Sequence, residues 1–177
     1  MSRLAVNQHA LRGHDETVIT ETDLAMMRRA IALADEAAKL GEVPVGAVVY
    51  QRDTIIAEAF NNREATSDPT GHAELLAIRK AGQKLSEWRL SDCSLAVTLE
   101  PCAMCAGALV NARLGRLVYG TTDPKAGACH TLFRIPTDRR LNHEVKIIGG
   151  VLAEECKAQL QRFFRNRRQE NKNGRTA

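Results

Sequence analysis

A layered α/β domain follows from three features of the sequence: apolar, β-branched runs of strand length, amphipathic segments of helix length between them, and turn-forming residues at the junctions. Strands alternating with helices imply some parallel pairing, because parallel neighbours need a crossover connection. At 177 residues the chain suits one well-filled core and is short for two. Its 44% hydrophobic and 26% charged residues are those of an ordinary globular protein.

Residues 1–20 lack apolar periodicity and read as a disordered N-terminal arm, followed by one domain over 21–168 and a disordered polar tail over 169–177, QENKNGRTA. Thr22 or Asp23 can cap a first helix, in which Leu24, Met27, Ile31, Ala34 and Ala38 recur at spacings of three and four, and Gly41 suits its C-terminus. VPVGAVVY and TIIAEAFN, joined by QRD, read as a hairpin. The loop that follows, NREATSDPTG, is rich in turn formers and long enough to call for a functional reason. HAELLAIRKAG is a helix ending at Gly82, and SLAVTLE is a strand of the buried type. CAMCAGALVNAR then forms a helix and GRLVYG a short strand, before an irregular stretch from Thr121 to about His143. EVKIIGG supplies a last strand, and LAEECKAQLQRFFRNRR a C-terminal helix with Leu152, Cys156, Leu160, Phe163 and Phe164 facing inward.

The net charge of +4, from 25 basic and 21 acidic residues, does not by itself establish a nucleic-acid partner. Its distribution is more informative, because Arg162, Arg165, Arg167, Arg168, Lys172 and Arg175 cluster near the C-terminus against Glu170 alone. A solvated helix face is the competing explanation. With no secretory apolar region and no run of about 18 apolar residues, a cytoplasmic location and no membrane partner are expected. The five cysteines are odd in number, and Cys93, Cys129 and Cys156 stand far apart, unlike a disulfide framework. Closely spaced thiols in a reducing compartment point instead to metal binding or redox work.

The chemistry is carried by HAE, His72 to Glu74, and PCAMC, Pro101 to Cys105, each at the start of a predicted helix. One imidazole and two thiolates, His72, Cys102 and Cys105, supply three zinc ligands and leave the fourth position open, as in catalytic sites. Glu74, two residues after a ligand, can then take a proton from a water activated near neutral pH and pass it to a leaving group. The positive ends of both helices favour the thiolate and carboxylate forms. A redox pair remains an alternative, but it leaves His72 and Glu74 without a task. A closed structural site is another, with Cys129, His130 or His143 as fourth ligand, although no second close pair completes a finger or ribbon spacing. Cys93 and Cys156 read as buried small hydrophobes. A zinc-stabilised module that binds without catalysis also stays open.

H-x-E followed by P-C-x-x-C is the signature of zinc nucleobase deaminases. Together with GEVPVGAVV, FNNREATSDPTGHAE, TLEPCAMCAGALVNAR, YGTTDPKAGA, LNHEV, GGVLAEEC and FFRNRR, it makes residues 23–168 resemble the bacterial tRNA-specific adenosine deaminases of the cytidine deaminase-like superfamily. The zinc motifs are common to that superfamily, whereas DPKAGA and the FFRNRR helix favour the tRNA branch. The resemblance implies a three-layer α/β/α fold with a mixed five-stranded sheet between helices, a homodimer, one Zn2+ per chain, and a tRNA anticodon stem-loop as partner. It also implies hydrolytic deamination of adenosine to inosine at wobble nucleotide 34, releasing ammonia. Carried over, His72, Cys102 and Cys105 bind zinc, Glu74 shuttles the proton, and Asn61 hydrogen-bonds the target base. Asp123, Lys125, Asn142 and Phe164 match positions that line the nucleotide pocket or anticodon path. The sequence departs from the family at Gly71, where alanine is usual, at Asn62, often basic, and over CHTLFRIPTDRR, residues 129–140. The alternative activity is deamination of a free base or nucleoside of guanine or cytosine type.

Overall fold

The computed structural model describes residues 18–173. Most of the expected arm, and the tail beyond residue 173, therefore lie outside the described residues. Helix α1 (Glu21–Lys39) starts earlier than expected, because Thr20 accepts from the Asp23 amide while the Asp23 side chain accepts from the Thr20 amide, a reciprocal capping box. Strands β1 (Gly46–Gln51) and β2 (Thr54–Phe60) form the expected antiparallel hairpin. The long loop after it contains a single-turn helix, α2 (Arg63–Thr66). Helix α3 (Ala73–Leu85) passes through Gly82, since Gln83, Lys84 and Leu85 are good helix formers and Leu85 packs on the core; Ser86 takes the left-handed cap. Strand β3 (Ser94–Leu99), helix α4 (Ala103–Asn111), strand β4 (Arg116–Thr121) and strand β5 (Lys146–Gly149) follow, with a 3-10 turn at Ile135–Thr137 in the otherwise irregular stretch.

Helix α5 (Ala153–Asn173) runs past the boundary expected at residue 168, because Gln169, Glu170 and Lys172 are good helix formers. Its inward face also differs from expectation. Cys156 and Gln159 are buried and Leu160 and Phe163 half-buried, but Phe164 is 43% exposed, and Leu152 lies before the helix in a left-handed turn. At 100° per residue Phe164 falls roughly 80° from Cys156, at the edge of the buried stripe.

The sheet order is β2-β1-β3-β4-β5, mixed and five-stranded, as the resemblance implied. Side chains alternate across it. Ala47, Val49, Leu95, Val97, Leu117 and Tyr119 join the core under α3 and α4, while Val48, Tyr50, Ala96 and Val118 join the one under α1 and α5. Two cores on opposite faces make three layers. Where α1 crosses β1 the backbones nearly touch: a Cβ at Gly46 would lie 2.1 Å from the Ala30 carbonyl oxygen.

Strand direction positions the site. β1 is antiparallel to both β2 and β3, and β3, β4 and β5 are mutually parallel, so β2, β3 and β4 end at one edge of the sheet. Ligands of open α/β sheets bind at that edge. Asn61 follows β2, Glu100 and Cys102 follow β3, and Asp123 follows β4.

Candidate active site

His72 is the N-cap of α3 and Cys102 the N-cap of α4, and neither side chain caps its own helix. Both are free to turn toward each other. His72 Nδ1 lies 3.6 Å from Cys102 Sγ and 3.5 Å from Cys105 Sγ, and one ligand atom of each of the three residues falls within 4.8 Å of the others. A zinc ion with bonds of about 2.05 Å to nitrogen and about 2.3 Å to sulfur at tetrahedral angles separates those atoms by about 3.6 Å. The donor set therefore fits zinc. Among the described residues it is the one His/Cys/Asp/Glu cluster with metal-ligand spacing, and Cys129, His130 and His143 do not join it. His143 Nε2 instead contacts the Leu114 carbonyl at 2.7 Å. With three ligands from two helix starts, the arrangement is that of an open site rather than a closed structural one.

The thiols are electrostatically unequal. The Cys105 thiol beside it is the largest influence bringing Cys102 down to about 4, burial opposes that, and contact with His72 adds to it. Cys102 also pushes the half-buried His72 imidazole upward. Glu74, in the first turn of α3, is 4% exposed, and burial raises its carboxyl above the ordinary range. A carboxyl so placed can hold a proton and release it, which suits a shuttle.

These groups open onto a cavity of about 140 Å³ lined by Val43, Val45, Asn61, Leu99, Asp123 and Ala126 together with His72, Glu74, Glu100 and Cys102. That is well below the roughly 300–1,000 Å³ of drug-sized pockets. It suits a single base inserted from one side, not a whole nucleotide. A groove of about 860 Å³ runs beyond the loop after β4, lined by Thr122, Lys125, Lys157, Phe164, Arg165 and Arg168 among others. Of the residues expected to contact substrate, Asn61 and Asp123 are thus in the pocket, and Lys125 and Phe164 are in the adjoining groove. Asn142 reaches neither. Its Oδ1 accepts from Arg113 Nη1 at 2.7 Å, and Arg113 lies just beyond the C-terminal end of α4, the end away from Cys102.

The MafB19-like deaminase profile matches residues 21–168. The chain is 47% identical to a tRNA-specific adenosine deaminase of Haemophilus influenzae over 88% of its own length and 90% of that protein. It is 45% identical to one of Bacillus subtilis, over 85% of this chain and 93% of that protein. The chain belongs to the tRNA-specific adenosine deaminase family. A solved structure from a study of A-to-I editing by tRNA:A34 deaminases superposes with a TM-score of 0.73 at 37% identity, covering 76% of this chain and 98% of that one.

For a tRNA-specific adenosine deaminase, the departures at Asn62 and Gly71 prove to be neighbours. A Cβ at Gly71 would lie 2.6 Å from Asn62 Oδ1, so the side chain at 62 and the missing one at 71 share one space. Two buried carboxylates escape sequence reading. Glu42, fully buried, accepts from the Ala65 amide at 2.7 Å and from Asn61 Nδ2 at 3.4 Å, which orients the Asn61 amide. Glu100, 1% exposed, accepts from the amides of Asp123, Cys129, His130 and Thr131 and from the Thr131 hydroxyl. Burial opposes its ionisation, yet these hydrogen bonds hold its carboxyl below the usual range. The available signal was an acid at the end of an apolar strand, SLAVTLE.

Proposed function

We propose that this protein is a zinc-dependent hydrolase that converts adenosine to inosine at wobble nucleotide 34 of tRNA, releasing ammonia. The observation that carries the reading is a buried Glu74 beside a three-ligand His/Cys cluster, at the floor of a cavity sized for one base. His72, Cys102 and Cys105 would hold one zinc per chain, which supplies Lewis acidity that makes water nucleophilic near neutral pH.

The base must leave the anticodon stack to reach that floor. Asn61, oriented by Glu42, then faces the base edge, and Asp123 and Ala126 complete the lining of the pocket. Water adds at C6 of adenine as Glu74 takes one of its protons and gives it to the ring nitrogen N1. Glu74 then carries the second proton, from the new C6 hydroxyl, to the amine, and the C6–N bond breaks to release ammonia. Adenosine and water are consumed, inosine and ammonia are formed, and Glu74 is regenerated. The flanking nucleotides occupy the groove, where Lys125, Arg165 and Arg168 meet phosphates and Phe164 offers a face for stacking. Asn142, paired with Arg113, is assigned no contact with the target base.

A homodimer belongs to the same proposal. Exposed apolar Met104, Leu132, Phe133 and Leu141, on α4 and the segment after β4, support it, and sedimentation of the purified protein tests it. Among the described residues no helix is long and apolar enough to cross a membrane. The cytoplasm, where tRNA is found, is the proposed location.

The test is Glu74→Gln. The variant should retain its zinc yet lose at least about 100-fold in turnover of a tRNA with adenosine at position 34, read as inosine by mass spectrometry. Unchanged turnover would remove Glu74 from the mechanism. A wild-type protein that forms no inosine in tRNA but releases ammonia from guanine or cytosine would establish the free-base alternative.

A further inference from the structure

Glu100 stands out among the buried groups that the proposed chemistry does not use. Five donors converge on its two carboxylate oxygens, all from the loop between β4 and the 3-10 turn. Oε1 accepts from the amides of Cys129, His130 and Thr131 at 3.1, 2.7 and 2.9 Å. Oε2 accepts from the Asp123 amide at 3.1 Å and from the Thr131 hydroxyl. The same loop pairs with the α4 start, where Cys102 and Gly127 form an antiparallel bridge. It is packed so closely that a Cβ on Gly127 would lie 2.4 Å from Glu100 Oε2.

Chain position gives this arrangement a purpose. Glu100 ends β3 and is followed by Pro101 and Cys102, so its carboxylate is fixed relative to the metal ligands. Asp123 and Ala126 line the pocket that Asn61 also lines, and form its wall on the side of this loop. The wall has no strand or helix of its own, and among the described residues the Asp123 side chain hydrogen-bonds only the amides of Lys125 and Ala126, within the loop. Beside the Cys102–Gly127 bridge and the Ala128 amide on the Pro101 carbonyl at 2.8 Å, the carboxylate is the side-chain link that joins both ends of this loop, Asp123 and Thr131, to the site floor.

We propose that Glu100 is a positioning residue for the deamination reaction, setting through Asp123 and Thr131 the distance between the pocket wall and the zinc-ligand helix and thereby how tightly the target base is held. The inference rests on the function proposed above. It assigns Glu100 no contact with the reacting atoms. A wall that contacts the base equally before and during the reaction contributes to binding, so loosening it raises KM more than it lowers kcat.

Donor and acceptor chemistry selects the variants. In Glu100→Gln, the oxygen can keep the three amides at Oε1, and the new NH2 then faces the Asp123 N–H, donor against donor. Thr131→Val removes one donor with little change of shape, and Thr131→Ser restores it. Both Glu100→Gln and Thr131→Val should raise KM for a wobble-adenosine tRNA roughly tenfold, with kcat within about threefold of wild type and zinc content unchanged. Amide exchange, followed by mass spectrometry, should accelerate in the segment 122–131 and not in α1 or α5. Thr131→Ser should return both readouts to within about twofold of wild type.

Wild-type KM and exchange in Thr131→Val, or no recovery in Thr131→Ser, would overturn the inference. A parallel fall of kcat, zinc content and melting temperature would overturn it too, because that pattern marks a general structural role. If the wild type itself forms no inosine, the proposed function fails instead. The exchange arm then still decides whether Glu100 holds this loop.

Discussion

Neutralising Asp23 should remove an identifiable part of the protein's acid stability. This carboxylate, with its side chain 1% exposed, caps α1 and accepts from Arg116 at 2.5 and 2.7 Å, from the Tyr50 hydroxyl at 2.7 Å and from the Thr20 amide at 2.8 Å. It ties the first helix to β1 and β4. Burial opposes its ionisation, but the hydrogen bonds from Arg116, Thr20 and Tyr50 outweigh burial and lower its pKa from the ordinary 3.8 to about 2. At about 1.4 kcal/mol per pH unit, that difference is worth about 2 kcal/mol of folding stability at neutral pH. A depressed folded-state pKa gives stability that is complete above the unfolded value and is lost as pH falls from about 4 toward 2.

Asp23→Asn removes this term at every pH and leaves Arg116, 15% exposed, without its counter-charge. Breaking a buried pair by deleting one partner costs about 3–5 kcal/mol. The variant should therefore melt about 6–20 °C lower at pH 7, at about 2–4 °C per kcal/mol for a chain of this size. The gap between wild type and variant should narrow by about 1 kcal/mol at pH 3 and about 2 kcal/mol at pH 2. Urea unfolding at several pH values measures it, and acid release of metal affects both proteins alike, so the difference isolates Asp23. A gap that stays constant from pH 7 to pH 2, or an Asp23 carboxyl titrating near 4 by NMR, would refute the reasoning.

Gly46→Ala should destabilise the fold by about 1–3 kcal/mol, because its Cβ would drive α1 away from β1 at Ala30; thermal unfolding reads this directly. Removing metal with a chelator should lower the melting temperature as well as activity, since ligand binding to the native state adds stability, and added zinc should restore both. Arg168→Ala, in the groove, should weaken tRNA binding similarly for different anticodon loops and reduce the slope of log affinity against log salt by about 0.7–0.9, as loss of one phosphate contact requires. Filter-binding titrations at four salt concentrations provide the slope.

The zinc cluster was legible because each half is local. H-x-E and P-C-x-x-C place their groups on single helix starts, and the apolar strands before them fix which edge of the sheet those starts occupy. The order of the five strands was not readable from periodicity; the family resemblance implied a mixed five-stranded sheet without an order, and the structure supplies it. Where periodicity was read too generously, geometry corrected it. Phe164 belongs to an apolar pair, FF, but the helix can bury only one stripe, and Phe163 is nearer its centre. That leaves Phe164 available to the groove, a role a fully buried residue could not take.

Glu100 and Asn142 show the limit from opposite sides. Glu100 is next to a recognisable motif, yet its partners are amides 23 to 31 residues downstream, and a backbone donor has no residue-type signature. Only the path of the chain reveals that they converge. Asn142 has a family-matched sequence context, LNHEV, but its side chain is engaged by Arg113 at the far end of α4. Motifs identify which side chains can do the chemistry. The distance between the wall and floor of this pocket is set by hydrogen bonds that no motif encodes, and control of base binding is therefore sought at Glu100 and Thr131 rather than at further matches to the family pattern.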